Sequence, residues 1–401
     1  MSRNCTATTK SEGSNIGQGR DNGDSGEKVS LKVLKQGGRG KGLTPGGTKT
    51  ARWRAIVLLS VNLLIVAHIL HWAIFGRTLS PIEPSESMYF IERGEVNAGA
   101  IFFAVALLAT LVFGRFVCGW ACHIVALQDL CAWLLTKMRI RPQPFRSRFL
   151  YHAPFALAIY MFVWPAVYRY WMGIPSPELK NHIMTANFWE TFPGPVMTVI
   201  TLLICGFVIV YVLGQKAFCT YGCPYGGFFA PLDKFSPARI RVTDACEQCG
   251  HCTAVCTSNV RVHEEVATFG AVVDPGCMKC MDCVDICPND ALYYGIGAPA
   301  LVTSAKSAPK AATYSFTLGE ELFVLGVGLV SLFIYRGLYG AVPLLLTMGI
   351  AAILGFWAIK VLHLIKNSHL KLQNLQLKRS GKVTAAGWGF AVVSVIIGAF
   401  T

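Results

Sequence analysis

The sequence predicts an α-helical integral membrane protein with a small, cysteine-dense α+β domain inserted between its fourth and fifth spans. Three observations carry this. Of 401 residues, 53% are hydrophobic and only 14% charged, where a soluble chain carries nearer a quarter. The mean hydropathy is +0.47, and the apolar residues gather in runs of roughly 20, the length that crosses a hydrocarbon core. Finally, of the 15 cysteines, eight lie within residues 246–287 in two copies of one spacing.

The elements follow in order. Residues 1–50 are rich in Gly, Ser, Thr and Lys; they cannot bury enough surface to fold and read as a disordered basic tail. The tail is too long for the charged start of a cleaved signal peptide, and Cys5 within it reads as a free thiol. A core over 51–235 holds spans near Trp53–Phe75, Ala98–Val117, His152–Tyr170 and Val196–Leu213. The cysteine-dense domain occupies 236–297. Residues 298–318, of Ala, Pro, Ser, Thr and Lys, read as a linker. The remainder, 319–401, holds three more spans, near Glu321–Tyr335, Ala341–Ile365 and Val383–Thr401, so about seven transmembrane helices are expected.

Charge sets the expected orientation. The formal net charge is +14, which in a soluble chain would point to nucleic acid. Here the basic residues stand beside apolar spans, so lipid is the expected partner and nucleic acid is not. Lys49, Arg52 and Arg54 precede span one. Lys137, Arg139, Arg141, Arg146 and Arg148 follow span two, and Lys216, Lys234, Arg239 and Arg241 follow span four. Lys366, Lys371, Lys378, Arg379 and Lys382 lie between spans six and seven. The loop 76–96 is acidic instead, with Glu83, Glu86, Glu92 and Glu95, and the loop 172–195 carries little charge. The positive-inside rule then puts the tail and the cysteine-dense domain in the cytoplasm and the C-terminus outside.

The cysteine spacing specifies chemistry. One copy is Cys246-x-x-Cys249-x-x-Cys252-x-x-x-Cys256. The other is Cys277-x-x-Cys280-x-x-Cys283-x-x-x-Cys287, followed by Pro288. A single Cys-x-x-Cys would leave structural zinc open, and a disulfide framework does not suit so large and apolar a chain. Two full runs are the pattern with which bacterial-type ferredoxins hold two [4Fe–4S] clusters. A tight loop wraps three thiolates around one cubane, and the fourth cysteine crosses to the other cluster. Cys246, Cys249, Cys252 and Cys287 are therefore assigned to the first cluster, and Cys277, Cys280, Cys283 and Cys256 to the second. Thr257 stands where the first run might also have had Pro. Such thiolates need a reducing compartment, which agrees with the cytoplasmic placement from charge.

An internal repeat carries four more cysteines. Phe116-Val117-Cys118-Gly119-Trp120-Ala121-Cys122-His123 ends span two, and Ala217-Phe218-Cys219-Thr220-Tyr221-Gly222-Cys223-Pro224 ends span four. This reads as a duplicated two-helix unit. Cysteines four apart share a helix face. If the two units pack about a pseudo-twofold axis, Cys118, Cys122, Cys219 and Cys223 converge and suit a further iron–sulfur centre, zinc or copper(I), or act as redox thiols; small buried packing residues are the alternative. Cys131 and Cys205 have no matched partner and read as packing residues. Among the histidines, His68 and His71 lie on one helix and so cannot clamp a haem between them. They, His123 and His152 are candidates for a quinone or proton role or for polar contacts between helices.

Spans, paired Cys-x-x-x-Cys motifs and a following double ferredoxin run resemble the NapH/NosR-type membrane polyferredoxins, whose core is shared by the CcoG-type oxidase assembly protein. The resemblance covers about Trp53 to Leu292. Three features depart from it: His123 replaces Pro after the first motif, there is no outer flavin-binding domain, and three spans stand in place of a periplasmic C-terminal domain. The resemblance implies a bacterial inner-membrane protein that oxidises quinol, or relays electrons between a cytoplasmic donor and a separate respiratory partner, periplasmic in some members. Two other readings are a copper-reducing assembly factor and a redox-sensing regulator. No catalytic acid–base pair or nucleotide motif is visible.

Overall fold

The computed structural model describes residues 49–140, 146–189, 194–306, 314–338, 342–372 and 375–400. The basic tail with Cys5, Arg141 and part of the expected linker lie outside the described residues.

Among the described residues, five helices are long and apolar enough to cross a membrane. They are α1 (Lys49–Phe75), α6 (Leu150–Trp171), α7 (Pro195–Leu213), α12 (Leu318–Gly337) and a helix counted as crossing over Leu346–Lys366, within α13 (Leu344–Lys366). Two more apolar helices, α3 (Ala98–Phe113) and α14 (Ala385–Phe400), have 16 residues each, short of the ~20 that a straight crossing needs. Along α1 only Ala51, Arg54 and Leu58 are buried, while Leu59, Leu63, Leu64 and Leu70 are exposed. In a helix apolar on every side, that exposure is a lipid-facing surface.

Local sequence accounts for the irregularities. Asn97 caps α3: Ala100 N donates to Asn97 Oδ1 at 2.7 Å, and Asn97 Nδ2 donates to the Glu86 carbonyl at 2.8 Å. α6 carries one π turn over Ile159–Val163, directly ahead of Pro165; proline cannot donate four residues back and crowds that carbonyl, so the wider turn accommodates it. A second π turn, Ile204–Val208, interrupts α7 where Gly206 lets Cys131 and Leu127 approach. Thr317 and Glu320 form a capping box at the start of α12.

The two loops on the far side pair with each other. β1 (Thr78–Leu79) runs antiparallel to β4 (Met184–Thr185), and β2 (Glu95–Val96) parallel to β3 (Lys180–Asn181). The cysteine-dense lobe lies at the opposite ends of the spans. There Thr50 N donates to Asp285 Oδ2 (3.2 Å), Ser236 Oγ to the Val112 carbonyl (2.9 Å) and Tyr294 Oη to the Phe113 carbonyl (2.8 Å).

The lobe is built on one antiparallel pair, β5 (Ala238–Val242) with β6 (Leu292–Ile296), in register from Ala238↔Ile296 to Val242↔Leu292. Three short helices, α9 (His251–Ala254), α10 (Val262–Phe269) and α11 (Asp282–Asp285), pack on it around Ile240, Val260, Val262, Val266, Val272 and Leu292.

Three expectations need correction. Arg54, Lys216 and Arg239, read as loop charges that orient the chain, are buried in protein; Arg54 meets the Asp129 carboxylate, and Arg239 the Asp233 carboxylate and the Val272 carbonyl. The acidic loop 76–96 holds a helix, α2 (Ser87–Arg93), and Glu86 and Ser87 are buried against α3, with Gly99 giving the room. Between α13 and α14 stands a three-stranded sheet, β7 (Leu370–Leu372), β8 (Leu375–Arg379) and β9 (Lys382–Val383), where only a basic loop was expected.

Candidate metal centres

The two cysteine runs fold alike. Gln248 and Lys279, each two residues after the first cysteine of its run, have φ of 53° and 51°. Gly250 and Met281, each four residues after it, have φ of 78° and 63°. Non-glycine residues avoid the left-handed region at about 1–2 kcal/mol each. Equivalent residues held there twice mark loops wound tightly around something.

Two cavities lie inside these loops. Cys246, Cys249, Cys252 and Cys287 line one, with His251, His263 and Pro288. Cys256, Cys277, Cys280 and Cys283 line the other, with Met278, Lys279 and Met281. In each, three cysteines come from one run and the fourth from the other. Ala291 N donates to Cys287 Sγ at 3.3 Å, and His251 Nδ1 lies 3.1 Å from Cys249 Sγ. Burial pushes the Cys252 and Cys256 thiols up to about 12 and raises those of Cys280 and Cys283 as well. A thiolate alone is costly in such a place; a metal that replaces the proton removes that cost.

The Cys-x-x-x-Cys motifs differ from their expected form. They do not lie along one helix face. Cys118 is in α4 (Phe116–Trp120), and Cys219 is in a π turn over Phe218–Gly222. Cys122 and Cys223 are extended, at φ/ψ of −82°/122° and −82°/113°, each breaking the helix that precedes it. After Cys122 the chain enters α5 (His123–Lys137); Tyr225 leads from the second motif into α8 (Gly226–Asp233). The break turns the last cysteine of each motif back toward the other repeat.

The four thiols are neighbours. Cys122, Cys219 and Cys223 each stand within electrostatic range of others in the set, and burial raises all four, Cys122 to about 12 and Cys223 to about 11. The Arg115 guanidinium beside Cys118 opposes that rise. Cys219 Sγ donates to Gln128 Oε1 at 3.3 Å. Among the described residues no three His, Cys, Asp or Glu side chains close on a single ion. The same holds for the eight lobe cysteines.

The second cavity abuts the first motif. A Cβ at Gly119 would overlap the Met278 carbonyl. Trp120 Nε1 donates to the Lys279 carbonyl at 3.0 Å, and Arg115 Nη1 to the Pro275 carbonyl at 2.8 Å. Beneath them Asp233 holds Lys279 Nζ (3.0 Å) and Arg239 Nη2 (3.3 Å), all fully buried. Sequence reasoning missed this seam. One signal was available: Arg115 and Lys216 each stand three residues before the first cysteine of their motif.

The other candidates lie apart. His68 Nε2 is 3.2 Å from the Leu79 carbonyl and His71 Nδ1 is 3.0 Å from Thr78 Oγ1, so both pin α1 to β1. His123 Nε2 lies 3.7 Å from Glu83 Oε1, and His152 is exposed. Cys131 and Cys205 are buried at helix crossings.

Known proteins share these features. A family described as a 4Fe-4S binding domain matches the chain twice, over 98–141 and 196–243, and a 4Fe-4S dicluster domain matches 245–292. MauN of Methylobacillus flagellatus, a methylamine utilization ferredoxin-type protein, is 24% identical over 236 residues, covering 53% of this chain and 79% of its own. The ferredoxin-type protein NapH of Haemophilus influenzae is 24% identical over 214 residues, covering 50% and 67%. The chain resembles the ferredoxin-type proteins of the NapH kind. YccM of Escherichia coli, described provisionally as an electron transport protein, is 25% identical over 281 residues, covering 62% of this chain and 76% of its own length. No solved structure matches. Each of the two 4Fe-4S binding domain matches covers an apolar helix, its motif and the helix that follows.

The chain is thus a ferredoxin-type electron-transport protein of the membrane, with 4Fe-4S binding domain matches in both its lobe and its helical core.

Proposed function

We propose that the chain relays single electrons through two [4Fe–4S] clusters toward a third redox centre at the membrane motifs. Cys246, Cys249, Cys252 and Cys287 hold the first cluster, and Cys277, Cys280, Cys283 and Cys256 the second. Each cluster, when bound, supplies one-electron transfer at a potential its surroundings tune. The chain's own residues wrap the thiolates, exclude water from the second cavity and seat it on Gly119 and Trp120. The observation that carries the reading is the pair of four-cysteine cavities, the second lying against a Cys-x-x-x-Cys motif.

Cys118, Cys122, Cys219 and Cys223 hold a further iron–sulfur centre in this reading. Their mutual proximity supports it, as does the presence of both motifs within 4Fe-4S binding domain matches. The lobe faces the cytoplasm of a bacterial inner membrane, seven helices cross it, and quinol or a cytoplasmic donor exchanges electrons with a separate partner. The pairing of the two far loops with each other, opposite the lobe, supports that topology.

Iron and sulfide analysis with EPR on anaerobically purified protein tests it. The expected result is four irons and four sulfides for each cubane, with two cubane signals surviving Cys118→Ser and a further signal lost. Iron-free protein overturns the reading.

A further inference from the structure

Among the described residues, the duplication leaves one buried ammonium without a hydrogen-bond partner. Arg115 and Lys216 are equivalent in the two repeats, and both are buried. Arg115 is engaged, donating to the Pro275 carbonyl at 2.8 Å and the Cys219 carbonyl at 3.3 Å. Lys216 is 1% exposed, and its Nζ has no hydrogen-bond partner among the described residues. An ammonium removed from water and left bare costs several kcal/mol. Proteins keep such a group where a counter-charge belongs.

The neighbours identify that counter-charge. Ala217 and Phe218, the next residues along, share a core cluster with Met278, which lines the second cavity between Cys277 and Cys280, and the Lys216 charge opposes the burial-driven rise of the Cys280 thiol. Arg54 is already matched, 2.6 Å from Asp129 Oδ2 and 3.7 Å from Asp282 Oδ2. Lys279, on the same loop, is matched by Asp233 at 3.0 Å. The charged groups acting most strongly on Cys252, in the other cavity, are cysteines.

We propose that Lys216 is the counter-charge of the cluster held by Cys256, Cys277, Cys280 and Cys283, and that it holds this cluster's reduction potential above that of the other. The inference rests on the two-cluster reading above. A cubane with four thiolates is anionic and gains one more negative charge on reduction. A fixed positive charge in a low-dielectric setting therefore favours the reduced form. The step is internal and balanced: one electron leaves the reduced first cluster, which is oxidised, and arrives on the second, which is reduced, with no bond made and no proton moved. The electron then rests on the cluster seated against Gly119 and Trp120, on the membrane side of the lobe.

Redox titration of the full-length protein in detergent, followed by EPR under anaerobic conditions, tests this. Cys249→Ser identifies the first-cluster signal. Lys216→Met is expected to shift the reduction equilibrium of the second cluster at least tenfold toward the oxidised form, equivalent to 59 mV for one electron, and to leave the first cluster unmoved. Lys216→Arg, which keeps the charge, is expected to stay within about threefold of the native protein. Should Lys216→Met not accumulate, Lys216→Gln is titrated in its place with the same expectation. Clusters present but unmoved, or both moved equally, overturn the role of Lys216 and leave the two-cluster reading standing. Absence of clusters from the native protein overturns that reading first.

Discussion

The first and second cysteine runs repeat one spacing and one set of left-handed backbone positions, yet they sit in opposite surroundings. Around the first, Asp244, Ala245, Glu247 and Gln248 are exposed. Around the second, Met278 and Lys279 are fully buried, and the loop is locked to the helical core by Arg115, Trp120 and Asp233. Spacing determines what each run can bind. The wall around it determines how tightly the loop is held and which neighbours it meets.

The comparison is broken hardest at Asp233. Asp233→Ala leaves Lys279 and Arg239 as unmatched buried charges and is expected to cost about 3–5 kcal/mol. Glu247→Ala on the exposed run is expected to change stability by less than about 0.5 kcal/mol. Thermal loss of cluster absorbance measures both; equal effects would mean that the seam does not hold the second run. Gly119→Ala comes next. Its new methyl meets the Met278 carbonyl, so overpacking of about 1–3 kcal/mol is expected in the same assay.

A smaller effect separates the runs by sign. Gln248→Gly relieves a left-handed side chain and is expected to stabilise by up to about 1 kcal/mol. Lys279→Gly relieves the same strain but removes the partner of Asp233, so net destabilisation is expected. A gain at both positions would show the ion pair to be dispensable.

Iron loading should depend on pH. Burial lifts the Cys252 and Cys256 thiols to about 12, so the metal-free fold holds them protonated, and ligation releases those protons. Iron uptake by metal-free protein is expected to strengthen as pH rises between about 6 and 8, with proton release read by an indicator dye. The metal-free fold itself runs the other way. Groups that are neutral when protonated and whose folded values are raised contribute stability below the ordinary thiol value of about 8.5, and that contribution is lost above it.

Much of this was legible in the residues. The apolar runs gave the long apolar helices to within a few positions, because lipid demands length and composition that little else imitates. The eight lobe cysteines could be grouped by spacing alone, and the cavities group them in the same way. The motif cysteines were legible as a pair of pairs, but not as extended breaks, because an i, i+4 spacing reads as helix until the chain bends. Lys216 and Arg54 were read as loop charges that set orientation, since a basic residue beside a span looks the same whether it stands in water or is buried in protein. The strands after α13 did leave a trace, in the alternation of Leu370-Lys371-Leu372.

The lobe is stitched into the chain at both ends and fastened along one side by Tyr294, Ser236, Trp120 and Arg115. A free ferredoxin diffuses from donor to acceptor; this one stays put. Traffic with anything dissolved must come to the open rim around Cys246 and Cys249, one visitor at a time. In the relay proposed above, throughput with a soluble partner should therefore saturate with that partner's concentration, while the inward leg toward the bilayer keeps a constant pace.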